Sequence, residues 1–161
     1  LVWVGIILLI ILLYSFRFEF QSFKNRIIGE LSPSTAQNIG GKVVISLSRD
    51  GHFYMNTKIN GKFVRFLVDT GASDIVLNLQ DARKIGININ RLNFNKIYNT
   101  ANGTVRGASV TLNELEFAGL RFYNVQASVN SSDLDVSLLG MSFLQQFRKY
   151  EVYQDKLILH N

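Results

Sequence analysis

The chain has 161 residues, 47% of them apolar, and a formal net charge of +5. Such an apolar share can fill a core and argues against general disorder, and the length allows one modest domain with an appendage. The absence of cysteine excludes a disulfide framework, a thiol nucleophile and cysteine-based zinc sites. His52 and His160 stand alone in sequence with no metal-ligand spacing, so no metal or other cofactor is expected. No Lys/Arg run offers a nucleic-acid footprint, and no nucleic-acid partner is expected.

Residues 1–16 carry no charge and consist almost entirely of Leu, Ile, Val and aromatic side chains. A helix of that length rises about 24 Å, a little short of a hydrocarbon core of about 30 Å. The chain opens on Leu1 rather than Met, so the span is expected to begin upstream. Trp3, Tyr14 and Phe16 suit interfacial belts, and Arg17 ends the apolar run. A signal peptide is the rival reading, but bulky Tyr14 and Phe16 flank Ser15 and make a poor cleavage site. A buried soluble helix would show a polar face, which this stretch lacks. A transmembrane helix is therefore expected over 1–16, followed by a polar tether over 17–42. The tether holds the only proline, Pro33, the loop-forming Gly40-Gly41, and Arg17, Lys24, Arg26 and Lys42 against Glu19 and Glu30.

From residue 43 to 161 the texture is β. Strand patterns are expected over 43–47, 53–59 and 62–68, with Asn60-Gly61 as the hairpin turn between the last two. A short helix over 79–85 is stopped by Gly86. Residues 94–99 and 105–112 form a longer hairpin with its tip at 100–104. A strand over 121–129, a loop over 130–133, a strand ending in Leu138-Leu139-Gly140, and a short helix over 142–146 follow. Strands over 150–153 and 157–160 close the chain. Many short strands with few helical periods imply an all-β barrel or sandwich with one or two short helices.

The apolar run Phe66-Leu67-Val68 drives into Asp69-Thr70-Gly71-Ala72-Ser73, and Ile75-Val76-Leu77 leaves it. A carboxylate in that setting is costly unless its charge is paired, shared or hydrogen-bonded. Asp-Thr-Gly alone also suits a plain turn, in which Asp69 would merely cap backbone amides. In its apolar frame, and with Leu138-Leu139-Gly140 downstream, the motif resembles the active-site signature of the retropepsin-like aspartic proteases, in their bacterial membrane-anchored form. The resemblance spans about 43–160.

The resemblance implies a retropepsin-like acid-protease barrel in which Asp69 is catalytic and Thr70, Gly71, Ala72 and Ser73 form the active-site loop. Leu138, Leu139 and Gly140 would support it. The hairpin around Tyr98, Thr100, Ala101, Asn102 and Gly103 would be the flap over a peptide or protein substrate, although a plain exposed hairpin gives the same pattern. Peptide hydrolysis by two carboxylates needs a second acid, and one Asp-Thr-Gly per chain implies a homodimer with one Asp69 from each subunit. Asp74 would lie at the surface just past the loop, and Asp133 and Asp135 read as solvated loop acids. Met141-Ser142 follows Gly140 where viral enzymes often carry a charged pair bracing the dimer, so weaker dimerisation is expected. Asn102-Gly103-Thr104 and Asn130-Ser131-Ser132 have the form of glycosylation sequons, which favours a bacterial source. The domain is expected at the periplasmic or extracytoplasmic side of an envelope, although the span 1–16 does not by itself fix the orientation. A catalytically silent dimerisation or peptide-binding module of the same fold is the alternative.

Overall fold

A computed structural model describes residues 36–100 and 103–161. The expected membrane helix over 1–16 and the tether as far as residue 35 lie outside the described residues, as do Ala101 and Asn102 of the hairpin tip. Among the described residues no helix is long and apolar enough to cross a membrane.

In chain order the elements are β1 (Gln37–Ile39), β2 (Lys42–Ser46), β3 (Tyr54–Ile59), β4 (Lys62–Val68), β5 (Ile75–Leu77), α1 (Leu79–Lys84), β6 (Lys96–Thr100), β7 (Gly103–Phe117), β8 (Leu120–Asn130), β9 (Ser137–Leu139), α2 (Met141–Leu144), β10 (Lys149–Tyr153) and β11 (Lys156–His160). The all-β expectation with short helices holds. The sheet begins earlier than residue 43, however. β1 pairs antiparallel with β2 from within the expected tether, Asn38 opposite Val43.

The strands form two sheets. The larger has the order β3-β4-β9-β5-β8-β7-β6, and β3 also pairs with β7 through Lys58–Glu116 and Ile59–Leu115. That extra pairing closes β3-β4-β9-β5-β8-β7 into a ring, which removes its free edges. β6 stays outside the ring as an appended edge strand. The smaller sheet has the order β1-β2-β11-β10 and joins the two ends of the described chain.

Period-two alternation explains which side chains fill the interior. Met55, Thr57 and Ile59 of β3 and Val64 and Phe66 of β4 are buried while their neighbours are more exposed. The hairpin between them turns at Asn60 and Gly61, both at positive φ (49° and 77°), as the Asn-Gly pair requires. Phe143 of α2 packs edge-on against Phe117, Phe122 and Phe147 at centroid distances of 6.4, 5.1 and 5.5 Å. This aromatic cluster seats α2 on the barrel.

β7 and β8 run further than the alternation suggested. They continue to a tight turn at Ala118-Gly119, with Phe117 opposite Leu120. The buried side of β7 switches between Leu112 and Leu115, the Asn113–Asn124 pair is missing from the ladder, and Asn124 has φ 54°. A strand that changes its inward face midway shows no continuous period of two, which is why the pattern breaks off near residue 112.

Candidate active site

β9 lies between the two strands that flank the Asp69 loop. It runs parallel to β4, with Leu139 opposite Val68, and antiparallel to β5, with Leu139 opposite Ile75. Leu139 is fully buried and Leu138 half-buried. The Leu-Leu-Gly segment is thus the floor across which β4 hands the chain to the loop and β5 takes it away.

Backbone bonds fix the loop to this floor. Asp69 N donates to Leu139 O at 3.1 Å, Met141 N to Ala72 O at 2.9 Å and Ser142 N to Ser73 O at 2.9 Å. Within the loop Ala72 N donates to Asp69 O at 3.2 Å. Gly140 is required by contact: a Cβ there would stand 2.4 Å from both Ala72 O and Asp74 O. The loop and the Leu-Leu-Gly segment recognised separately in the sequence are therefore one interlocked unit.

Asp69 is half-buried, and its Oδ1 accepts from Gly71 N at 2.8 Å. A Cβ on Gly71 would lie 3.1 Å from that oxygen, so glycine lets the amide approach the carboxylate. Thr70 is exposed at the loop apex. Ser73 takes part through its carbonyl, which accepts from Ser142 N. Asp133 and Asp135 are exposed, as expected of loop acids.

β6 and the first part of β7 form the expected hairpin beside the loop, with Thr100 opposite Gly103 at the limit of the described residues. Thr100 Oγ1 donates to Gly103 O at 2.7 Å. Ala101 and Asn102 lie outside the described residues. Tyr98 is held by two contacts. Its hydroxyl donates to Asp74 Oδ2 at 3.0 Å, and its ring covers Gly107, where a Cβ would meet it at 2.7 Å.

Asp74 is the residue that the sequence reading undervalued. It is half-buried and accepts from both Lys96 Nζ and Tyr98 Oη, two side chains of β6. The Lys96 ammonium, aided by Tyr98, holds its carboxyl below the usual carboxylate range, and Asp74 in turn raises Lys96. This cluster ties the base of the hairpin to the loop that carries Asp69. Lys96 follows Asp74 by 22 residues, and no local pattern marks such a pair.

The family of gag-polyprotein putative aspartyl proteases matches residues 55–146, a stretch holding both the Asp69 loop and the Leu-Leu-Gly floor. The chain belongs to this family. It is a retropepsin-like aspartic protease in sequence and in fold. An uncharacterized protein of Rickettsia prowazekii (strain Madrid E) is 42% identical over 159 residues, covering 98% of this chain and 68% of the relative. A Sinorhizobium protein is 37% identical over 166 residues, covering 99% and 71%. The crystal structure of a retropepsin-like aspartic protease from Rickettsia conorii superposes with a TM-score of 0.67 at 41% identity, over 74% of this chain and 90% of that one. An inhibitor-bound EIAV protease shares the fold alone, at 22% identity and a TM-score of 0.50, over 58% of this chain and 85% of the other.

Proposed function

We propose that this retropepsin-like protease is a membrane-anchored endopeptidase that works as a homodimer, with Asp69 of each subunit meeting at a two-fold axis. The observation that carries it is the Asp69 loop itself. One carboxylate per chain is held at a fixed place by backbone bonds to Leu139, Gly71 and the α2 start. Two such carboxylates within hydrogen-bond reach cannot both ionise easily and share a proton. The ionised one draws a proton from water as it attacks the peptide carbonyl. The protonated one stabilises the developing oxyanion and delivers the proton that the leaving amine needs. Gly71 N, already donating to Oδ1, biases the orientation of the carboxylate.

The hairpin of β6 and β7 serves as the flap. An extended peptide lies as a strand between it and the floor, with side-chain pockets on alternating sides. Closing the flap excludes water and commits the substrate. Apolar side chains next to the scissile bond are the expected preference. Ile97, 63% exposed on the flap strand, supplies apolar surface for them.

Residues 1–16 provide the membrane anchor in this proposal. Confinement to a bilayer raises the effective concentration of subunits, so a dimer that is weak in solution assembles at the membrane. The bacterial origin of the relatives fits an envelope location.

The test is Asp69→Asn. The variant should fold normally and lose peptide cleavage by about three orders of magnitude or more, since the acid–base pair is gone. The wild-type chain should show a bell-shaped pH profile on the acid side of neutral. Specific activity should rise with concentration in detergent until dimers dominate. Retained activity in Asp69→Asn would overturn the proposal. A wild type that is itself inactive would favour the silent peptide-binding module instead.

A further inference from the structure

Asn78 is the N-cap of α1, and its Oδ1 accepts from Asp81 N at 2.7 Å. In a complete capping box the side chain three residues on reaches back to the N–H of the cap residue. Asp81 holds that third position, but the Asn78 N–H goes elsewhere. A serine from another strand stands between them. Asn78 N donates to Ser137 Oγ at 3.1 Å, and Ser137 Oγ donates to Asp81 Oδ2 at 2.6 Å. Aspartate is one methylene shorter than the glutamate usual at that place, and the Ser137 hydroxyl fills the gap.

Ser137 is the first residue of β9 and is fully buried, and Asn78 is buried as well. The hydroxyl thus accepts and donates inside the protein, and its bond to the carboxylate has the short length of a charge-assisted one. Asn78 Nδ2 also donates to Asp135 O at 3.4 Å, on the approach to β9. The ladder between β5 and β9 contains only two residue pairs, Ile75–Leu139 and Val76–Leu138. A three-residue strand held by so short a ladder depends for its exact place on what grips its ends.

The other end of β9 carries the Asp69 loop. Leu139 O accepts from Asp69 N, and Gly140 lies against Ala72 O and Asp74 O. We propose that Asp81 is a positioning residue for Asp69. Through the Ser137 hydroxyl it sets where β9 lies between β4 and β5, and so where the Asp69 carboxylate stands. This rests on the shared Asp69 pair proposed above. In that dimer any displacement is repeated in the second subunit about the two-fold axis. A shift of the floor away from the axis therefore counts twice in the separation of the two carboxylates.

The pH dependence of cleavage registers that separation. Two carboxylates that share a proton titrate in two steps, and the gap between the steps grows with their coupling. Moving them apart weakens the sharing and draws the steps together, which narrows the pH range of activity from both sides. A cap that served only to hold α1 would change the folded fraction and leave that range alone.

The test uses the full-length chain in detergent, at a concentration where dimers dominate, with the melting temperature recorded beside cleavage. Asp81→Ala should lower kcat about tenfold, leave KM within about twofold and narrow the pH profile by about one pH unit. Asp81→Asn keeps an oxygen that accepts from Ser137, and should restore kcat to within about threefold of wild type with the wild-type profile. Ser137→Ala should match Asp81→Ala, and the double variant should lose no more than either one, because the two residues act as a unit. Ile59→Val, in the core beside the Asn60-Gly61 turn, is the control: it should lower the melting temperature and leave the profile unchanged. An unchanged profile in Asp81→Ala, or in Ser137→Ala should Asp81→Ala not fold, overturns the inference and leaves the shared Asp69 pair standing. Equal losses in Asp81→Asn and Asp81→Ala, or additive losses in the double variant, overturn it too. A wild-type chain without Asp69-dependent cleavage overturns the proposed function, and this inference with it.

Discussion

The Asp69 loop and the hairpin of β6 and β7 sit side by side but are held in different ways. The loop is locked by backbone bonds to Leu139, Met141 and Ser142, and by a glycine, Gly140, that leaves no room for a Cβ. The hairpin hangs outside the closed ring, and β6 presents an almost wholly exposed strand. What fixes its base is side-chain chemistry: Lys96 and Tyr98 on Asp74, and the Tyr98 ring on Gly107. Backbone interlocks resist change, whereas exposed side-chain clusters can open and re-form. In the proposed mechanism the catalytic group would thus rest on the rigid part, and the element that admits a peptide on the adjustable part.

The sharpest way to break this contrast is Gly140→Ala. The added methyl meets two backbone oxygens at 2.4 Å, and neither can move without dislodging the loop. We expect destabilisation of about 4 kcal/mol or more, at the level reserved for backbone clashes, with cleavage lost. Thermal unfolding measures it, and a loss below about 1 kcal/mol would show that the two segments are not interlocked.

Gly71→Ala separates rigidity from chemistry. Its Cβ meets only the carboxylate end of Asp69, at 3.1 Å, and that group can shift by a few tenths of an ångström. Stability should hardly change, while kcat should fall about tenfold because the reacting oxygen is displaced. Equal losses of stability and of rate would erase the distinction from Gly140.

Asp74→Asn probes the adjustable side and should cost only a little stability. The pair with Lys96 is partly exposed, so its worth is about 1 kcal/mol at most after solvent screening. The sign with pH follows from the lowered titration of Asp74. The unfolded chain binds the proton more readily, so the contribution is complete above the ordinary value of 3.8 and fades as pH falls through the lower folded value. Wild type and Asp74→Asn should differ in stability near neutral pH and converge in acid. In activity, loosening of the flap base should raise KM more than it lowers kcat.

The same contrast governs what the sequence disclosed. The rigid unit is written locally. Asp69-Thr70-Gly71 in its apolar frame and Leu138-Leu139-Gly140 each carry a recognisable pattern, and the Asn60-Gly61 turn and the Gly86 stop of α1 follow from positive φ. The interlock between loop and floor was not visible, since it is made of backbone bonds between segments some seventy residues apart. The Asp74–Lys96–Tyr98 cluster was hidden for the same reason, being set by how the hairpin folds back on the barrel. β1 was read as tether because three exposed residues, Gln37–Ile39, show no alternation to mark a strand. The β3–β7 pairing that closes the ring rests on two residue pairs and has no sequence signature.

The central claim is that each active site takes one Asp69 from each of two chains, and subunit mixing tests it most directly. Wild-type and Asp69→Asn chains are combined in varying proportion at fixed total concentration, where dimers dominate, and cleavage is measured after exchange. If one intact Asp69 is useless without the other, activity falls as the square of the wild-type fraction, to about one quarter at equal amounts. A linear fall, to about one half, would mean that each chain carries a complete site and would contradict the shared pair.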